Sequence, residues 1–233
     1  MQRMKRVVWY FVFLWFCAAS YGQGINLDSI FETKLGGKLF QMRAGLVGSQ
    51  FYNDDWVNSD LKLITGETVH NKKLKYDALL DEVIWLQEDS FREVELEKHF
   101  IREFCFKNYQ NRQVCFRRIR AKLPQMIDSA DIFVEVLLEK SSSLFVFRKV
   151  KVEGSVNRLI GGVLCSFEKL VPDPVYLISL PGGNSVFCKR IRRHLLLKAL
   201  PDAYKTKVRE IIQRNHLTIR TEEDLARLVG LIN

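Results

Sequence analysis

Apolar and charged residues alternate along the middle of this chain, and that period of two constrains the fold more than any other feature. In residues 92–98, two aliphatic side chains alternate with three glutamates. In residues 131–139, four aliphatic side chains share one side, and the other side carries Asp131, Glu135 and Glu139. Because successive side chains of a strand point to opposite faces, this pattern predicts strands with one apolar and one solvated face, as is typical of antiparallel sheets.

Turn-prone segments separate these stretches, and helical patterns follow near the C-terminus. The predicted turns combine glycine, serine or proline with polar neighbours, and they lie at residues 64–67, 140–143 and 181–184. In the last part of the chain, Thr221 and Asp224 occupy the two positions of a capping box. The chain therefore changes from hairpin-linked strands to helices with a defined starting signal.

Together these patterns predict an α+β fold. The sheet is expected to be mainly antiparallel and curved, with about eight to ten strands, in a domain that spans residues 23–190. A short N-terminal helix is predicted at 25–35, where apolar residues recur at loosely helical spacing. Residues 191–233 are predicted to form a helical tail that packs on the sheet, because their apolar residues form stripes at helical spacing.

The first 22 residues have the order of a secretory signal. Three basic residues precede an uninterrupted apolar run at 7–17, and small residues follow close behind. This order predicts a signal peptide over 1–22 that is cleaved on export. A membrane anchor is one alternative, but a spanning helix needs about 20 apolar residues. Lipidation of Cys17 is another, and Phe16 disfavours it because a small residue usually precedes such a cysteine.

Export determines the cellular compartment and limits the classes of binding partner that the protein can meet. We predict a protein of the periplasm, of the outer-membrane surface or of the medium outside the cell, bound to an envelope protein or ligand that the sequence does not identify. The chain has a net charge of +9, and three of its basic residues lie in the predicted leader, which leaves +6. That moderate charge and the compartment argue against nucleic acid. No transmembrane segment is expected in the exported chain, and peripheral membrane contact stays open.

Four cysteines follow the leader: Cys105, Cys115, Cys165 and Cys188. Export permits disulfides. Cys105 and Cys115 flank a polar stretch at 107–112 that can turn a hairpin, and opposed residues of an antiparallel pair bring their Cβ atoms to about 4.5–5.5 Å. A disulfide between them is one prediction, and four unpaired, buried cysteines are the alternative. The spacing matches no zinc site, and no metal or cofactor is predicted.

Two motifs resemble a group of exported proteins of unknown function from Bacteroidota. They read Asn-Lys-Lys-Leu-Lys-Tyr-Asp at 71–77 and Leu-Asp-Glu-Val at 80–83, and in that group a Leu-x-Tyr-Asn/Asp stretch runs into an Asp-Glu-hydrophobic strand. The segments at 197–202, 215–219 and 222–229 are similar to the closing helices of the same proteins. The resemblance covers about residues 60–233 and implies export and this architecture. It transfers no catalytic or binding residue.

Two groups of residues are candidates for contact with a ligand or partner. The first combines acids with aromatic rings, which suits a sugar or a calcium ion, and consists of Tyr52, Asp54, Asp55 and Trp56. The second is basic, which suits anionic groups, and consists of Arg190, Arg192 and Arg193. The alternative interpretations are a polar loop anchored by aromatic side chains and a solvated basic rim.

The sequence carries no recognised catalytic motif. The four histidines lack metal-binding spacing. The adjacent acids Asp81 and Glu82 are expected to point to opposite faces of a strand, which prevents them from acting as a catalytic pair. We therefore expect a non-enzymatic exported envelope protein that binds a partner or an apolar ligand on the curved sheet. The alternative is an envelope hydrolase whose site is assembled from residues distant in sequence.

Overall fold

The structure is a computed structural model that describes residues 35–110, 112–124 and 127–232. The predicted signal peptide, and all but the last residue of the predicted N-terminal helix, lie outside these residues. Gly36–Asn233 group into one compact unit. Its strands are β1 (Gly37–Leu39), β2 (Leu46–Val47), β3 (Val57–Leu63), β4 (Thr68–Asp77), β5 (Glu82–Gln87), β6 (Arg92–Leu96), β7 (Ile101–Tyr109), β8 (Arg112–Ala121), β9 (Ala130–Glu139), β10 (Ser143–Phe147), β11 (Val150–Ile160), β12 (Val163–Pro172), β13 (Val175–Ser179) and β14 (Ser185–Cys188). Its helices are α1 (Arg193–Ala199), α2 (Asp202–Arg214) and α3 (Glu222–Gly230).

Eleven of these strands form one large antiparallel sheet in the order β1-β6-β5-β4-β3-β7-β8-β9-β10-β13-β14. The other three form a small sheet, in which β12 pairs antiparallel with β11 and parallel with β2. The α+β class and the mainly antiparallel sheet are thereby confirmed. The large sheet has at least one strand more than the predicted eight to ten, and the small sheet adds three strands that were not predicted as a separate sheet. Strands β1 and β2 are too short to show alternation, and most of β11 and β12 is solvated on both faces.

One face of the large sheet, here called the inner face, is filled by aromatic rings. Strand pairing places Phe116 opposite both Phe104 on β7 and Glu135 on β9, so these side chains share that face. Five completely buried rings contact one another there at centroid distances between 4.8 and 6.3 Å, and they are Tyr76, Phe104, Phe106, Phe116 and Phe133. Tilted and edge-to-face contacts of this kind add stability beyond the buried area. This part of the inner face is packed core.

The helical tail packs on the same face of the sheet, over β9, β10, β13 and β14. Val146 on β10 lies opposite Glu135 and belongs to a buried cluster that joins the sheet to all three helices. The helices contribute Leu196, Val208, Ile212, Leu225, Leu228 and Val229 to that cluster. The predicted capping box is confirmed, because the Asp224 amide donates to the Thr221 hydroxyl oxygen at 3.1 Å and the Thr221 amide donates to the Asp224 carboxylate at 3.4 Å.

Strand β9 departs from the predicted pattern of one apolar and one solvated face. Ile132 and Val134 are buried on one face, and Phe133 and Glu135 are buried on the other. The prediction that Glu135 faces solvent is wrong, since only 2% of its surface is accessible. Local periodicity could not show this, because Glu135 is buried against Arg148, a residue of a later segment.

Candidate functional site

The four residues predicted as an acidic and aromatic contact group lie in different surroundings. Tyr52 turns toward the inner face and stacks within the aromatic cluster. Asp54 and Asp55 are exposed. The Lys75 ammonium lies 4.8 Å from the ring centroid of Trp56. Asp54 and Trp56 line separate clefts, so the structure does not assemble these residues into one site.

The predicted basic contact residues are exposed at the junction between β14, the last strand of the sheet, and α1, the first helix of the tail. Arg192 and Arg193 line a shallow cleft of about 540 Å³ between the start of α1 and the loop that precedes α3. Arg220 from that loop adds a third guanidinium to the lining, whereas Arg190 lies outside it. All four side chains are solvated. This arrangement is a basic surface rather than a built anion site.

Cys105 on β7 and Cys115 on β8 form a disulfide. The two residues lie directly opposite each other in the antiparallel register, with their Cα atoms 4.1 Å apart, close to the separation of a non-hydrogen-bonded pair. Cys165 on β12 and Cys188 on β14 are free. Burial raises the pKa of the Cys188 thiol to about 11, which keeps it protonated at neutral pH and unreactive.

A carboxyl group organises the turn between β4 and β5. Asp81 stands just before β5 with a φ of 62°, a conformation that aspartate adopts more readily than most residues. Its Oδ1 accepts hydrogen bonds from the Tyr76 hydroxyl at 2.7 Å and from the Phe133 amide at 3.1 Å. Its Oδ2 accepts one from the Lys98 ammonium at 3.0 Å. Asp81 therefore ties this turn to β9 and to the segment between β6 and β7.

The expectation that Asp81 and Glu82 point apart is wrong. The Lys98 ammonium lies 3.0 Å from Asp81 Oδ2 and 3.3 Å from Glu82 Oε1, so both carboxylates reach the same cation. Alternation applies within regular strand backbone, and the left-handed φ of Asp81 interrupts it. Burial raises the pKa of Asp81 to about 6 and that of Glu82 to about 7, and Lys98 opposes both shifts.

Glu82 opens onto a cleft of about 390 Å³ beside this turn. Most of the lining side chains are acidic or basic, and these are Glu82, Glu95, Glu97, Asp131, Lys38, Lys98 and His99. Lys38 pairs with Glu95 at 3.0 Å. Asp81 does not belong to the lining, because both of its oxygens are engaged inside the protein. The cleft therefore has the chemistry to receive a polar group, with Glu82 as its proton-carrying acid near neutral pH.

A second charged cluster fastens the tail to the sheet. Arg148 donates from Nε to Glu135 at 2.5 Å and from both terminal nitrogens to Glu222 at 2.5 and 2.8 Å. The Tyr176 hydroxyl donates to Glu222 at 2.9 Å. Burial acts to raise the pKa of Glu222, but the hydrogen bonds and charge of Arg148 outweigh it and leave that pKa lowered. A bidentate arginine–carboxylate contact of this kind also fixes orientation.

The hairpin β11–β12 ends in an exposed apolar tip, defined here as residues 159–164. Four aliphatic side chains of this tip keep 72%, 54%, 63% and 68% of their surface accessible, and they are Leu159, Ile160, Val163 and Leu164. Gly161 and Gly162 form the turn, both with positive φ, which glycine adopts without steric cost. Single exposed aliphatic residues are common, but a contiguous exposed group is typical of an interaction surface.

Sequence reasoning misses this tip as a candidate surface. The signal is present, because Leu-Ile-Gly-Gly-Val-Leu is a run of six residues without a charge or a hydrogen-bonding side chain. Such a run also fits a hairpin buried in a core, and local periodicity does not distinguish the two cases. Only the tertiary structure shows that nothing in the described part of the chain covers it.

No protein-family model, no curated protein and no solved structure matches the chain. The resemblance to exported proteins of Bacteroidota therefore stays a prediction. In the part of the chain that the structure describes, every helix is too short or too polar to cross a membrane. Those same residues contain no group of three or more histidine, cysteine or acidic side chains placed to hold a metal ion.

Proposed function

We propose that the protein is an exported, non-enzymatic protein of the cell envelope that acts by binding a partner at the tip of hairpin β11–β12. The observation that carries this proposal is the exposure of four aliphatic side chains next to one another at that tip. A surface of this kind lowers solubility unless something covers it. A binding function explains why the chain carries it.

The disulfide supports the exported part of the proposal. The bond between Cys105 and Cys115 suits an oxidising compartment such as the periplasm or the cell surface. The proposal agrees with the basic, apolar and small segments at the start of the sequence. It includes peripheral contact with a membrane and excludes nucleic acid as a partner.

Two features of the interior favour binding over catalysis. Both oxygens of Asp81 are occupied by Tyr76, Phe133 and Lys98, so this carboxyl group acts as a structural link within the protein. The aromatic cluster of the inner face fills the place where an apolar ligand would enter the sheet. We therefore assign binding to the hairpin instead of the sheet itself.

An envelope-binding assay tests the proposal. The purified exported chain is mixed with isolated envelopes and sedimented, and the bound fraction is compared with that of a Leu159→Thr/Leu164→Thr variant. Threonine keeps a high preference for strands while it removes apolar surface. Ile64→Thr/Leu80→Thr, which alters two exposed aliphatic residues in turns of the large sheet, is the matched control. We expect the hairpin variant alone to lose binding, and equal binding of all three proteins contradicts the proposal.

The alternative is an envelope hydrolase that uses the cleft beside Glu82. One observation favours it: the pKa of Glu82 is raised to about 7 in a cleft that also contains Glu95, Glu97 and Asp131. A carboxyl group with a raised pKa beside further carboxyl groups is a feature of glycosidase sites. Hydrolysis of envelope glycans by the wild type, abolished in Glu82→Gln and kept in the hairpin variant, would establish this alternative.

A further inference from the structure

We propose that the tip of hairpin β11–β12 inserts into the interfacial region of a lipid bilayer, between the headgroups and the acyl chains, and holds the protein on the membrane surface. This inference rests on the proposed function, because it names the partner that the hairpin binds.

The tip is apolar on both faces. In the antiparallel register, Leu159 lies opposite Leu164, and Ile160 lies opposite Val163. Successive residues of a strand point to opposite faces, so the first pair occupies one face and the second pair the other. A protein groove that covers one face leaves the other pair in water. A lipid phase surrounds the tip and removes both pairs from water at once.

The apolar length of the tip matches a shallow insertion. Two residue pairs extend about 7 Å along a strand, and the turn at Gly161 and Gly162 adds a little more. Below them Arg158 lies opposite Cys165, and the polar side chains of Asn157 and Ser166 form the next pair across the hairpin. Amphipathic segments that lie in a membrane interface bury their apolar part by about 5–10 Å. At that depth, water and headgroups can still satisfy the unpaired backbone groups at the hairpin edges.

The charge near the tip favours a membrane surface. Between Gly154 and Phe167 the only charged residue is Arg158, which lies one position below the apolar pairs. A guanidinium at this height lies level with the phosphates of lipid headgroups, to which it can donate in bidentate fashion. The nearest acid along the hairpin is Glu168, and it is paired with Arg43 at 2.6 Å.

The base of the hairpin is held while its distal half is free of other strands. Strand β2 pairs with β12 at Glu168 and Lys169, and the Glu168 amide donates to the Gly45 carbonyl at 2.8 Å. On β11, the Val150 amide donates to the Ala78 carbonyl at 2.9 Å. No pairing beyond that of β11 with β12 is present nearer the tip in the described residues. The tip is thus presented at the end of an anchored support.

Flotation with lipid vesicles tests the inference. The purified exported chain is mixed with vesicles of phosphatidylethanolamine and phosphatidylglycerol, and with vesicles of phosphatidylcholine alone, and floated through a density gradient. We expect the wild type and the Ile64→Thr/Leu80→Thr control to float, with more protein on the anionic vesicles. The partition coefficient of Leu159→Thr/Leu164→Thr should fall about tenfold or more, because each buried methylene that is lost weakens partitioning about fourfold.

A tryptophan probe reports insertion itself. The fluorescence of the wild type, which comes from its native tryptophans, is subtracted from that of Leu159→Trp. The remaining emission should shift to shorter wavelength when vesicles are added. Lipids brominated near the headgroup should quench it. Absence of vesicle binding by the wild type, or equal flotation of the hairpin variant, overturns the membrane inference. If the wild type still binds envelopes through the tip in that case, the proposed function stands. A tip-dependent dimer without vesicle binding assigns the tip to a second copy of the chain and also overturns the inference.

Discussion

At the scale of single residues, Arg148 connects two acids that come from distant parts of the chain. Glu135 is buried on β9, and Glu222 is half-buried at the start of α3. Removing one partner of a buried ion pair leaves an uncompensated charge and costs about 3–5 kcal/mol. We therefore expect Arg148→Met to lower the free energy of unfolding, measured by urea titration, by about that amount.

Arg117 offers a matched control for this prediction. Its guanidinium also contacts two carboxylates, Glu103 and Glu139, but all three side chains are partly exposed to water. Exposed pairs contribute about 1 kcal/mol or less, so Arg117→Met should change the free energy of unfolding little. Similar losses in the two arginine variants would show that Arg148 does not anchor the tail.

At the scale of elements, the disulfide between β7 and β8 restricts the unfolded chain. Cys105 and Cys115 are ten residues apart in sequence, and closing a loop of about this size stabilises a protein by about 2–3 kcal/mol. We expect Cys105→Ala/Cys115→Ala to lower the melting temperature, and a reducing agent to lower that of the wild type to a similar extent. If the reducing agent destabilises the double variant as well, the effect does not come from this bond.

The sequence can predict those helices and strands that are encoded by signals within a few neighbouring residues. Helix α3 begins directly after Thr221, as the predicted capping box requires, because that signal is encoded within a few residues. The burial of Glu135 depends on Arg148, and the shared contact of Asp81 and Glu82 depends on Lys98. Side-chain periodicity carries no information about such partners, so the candidate cleft and the hairpin tip emerge only from the tertiary structure.

At the scale of the whole molecule, the turn between β4 and β5 makes stability depend on pH. Burial raises the pKa values of three neighbouring carboxyl groups: to about 6 for Asp81, to about 7 for Glu82, and above its usual range for Asp77. In the unfolded chain such groups titrate near pH 4, at about their usual values. Between about pH 4 and pH 7 the folded chain therefore binds more protons than the unfolded chain, so the free energy of unfolding falls as the pH rises.

Urea titrations between about pH 5 and pH 7 test this dependence. We expect the midpoint concentration to be higher at the acidic end, and the difference to shrink in Glu82→Gln because an amide does not titrate. Glu139→Gln is the control: the hydrogen bond from Arg117 lowers the pKa of this exposed acid, so it titrates below that range and should leave the difference unchanged. The pKa of Glu222 is also lowered. Protonation of this acid therefore lowers the free energy of unfolding only at more acidic pH. A midpoint that rises from pH 5 to pH 7, or an unaltered difference in Glu82→Gln, would contradict the burial of these carboxyl groups.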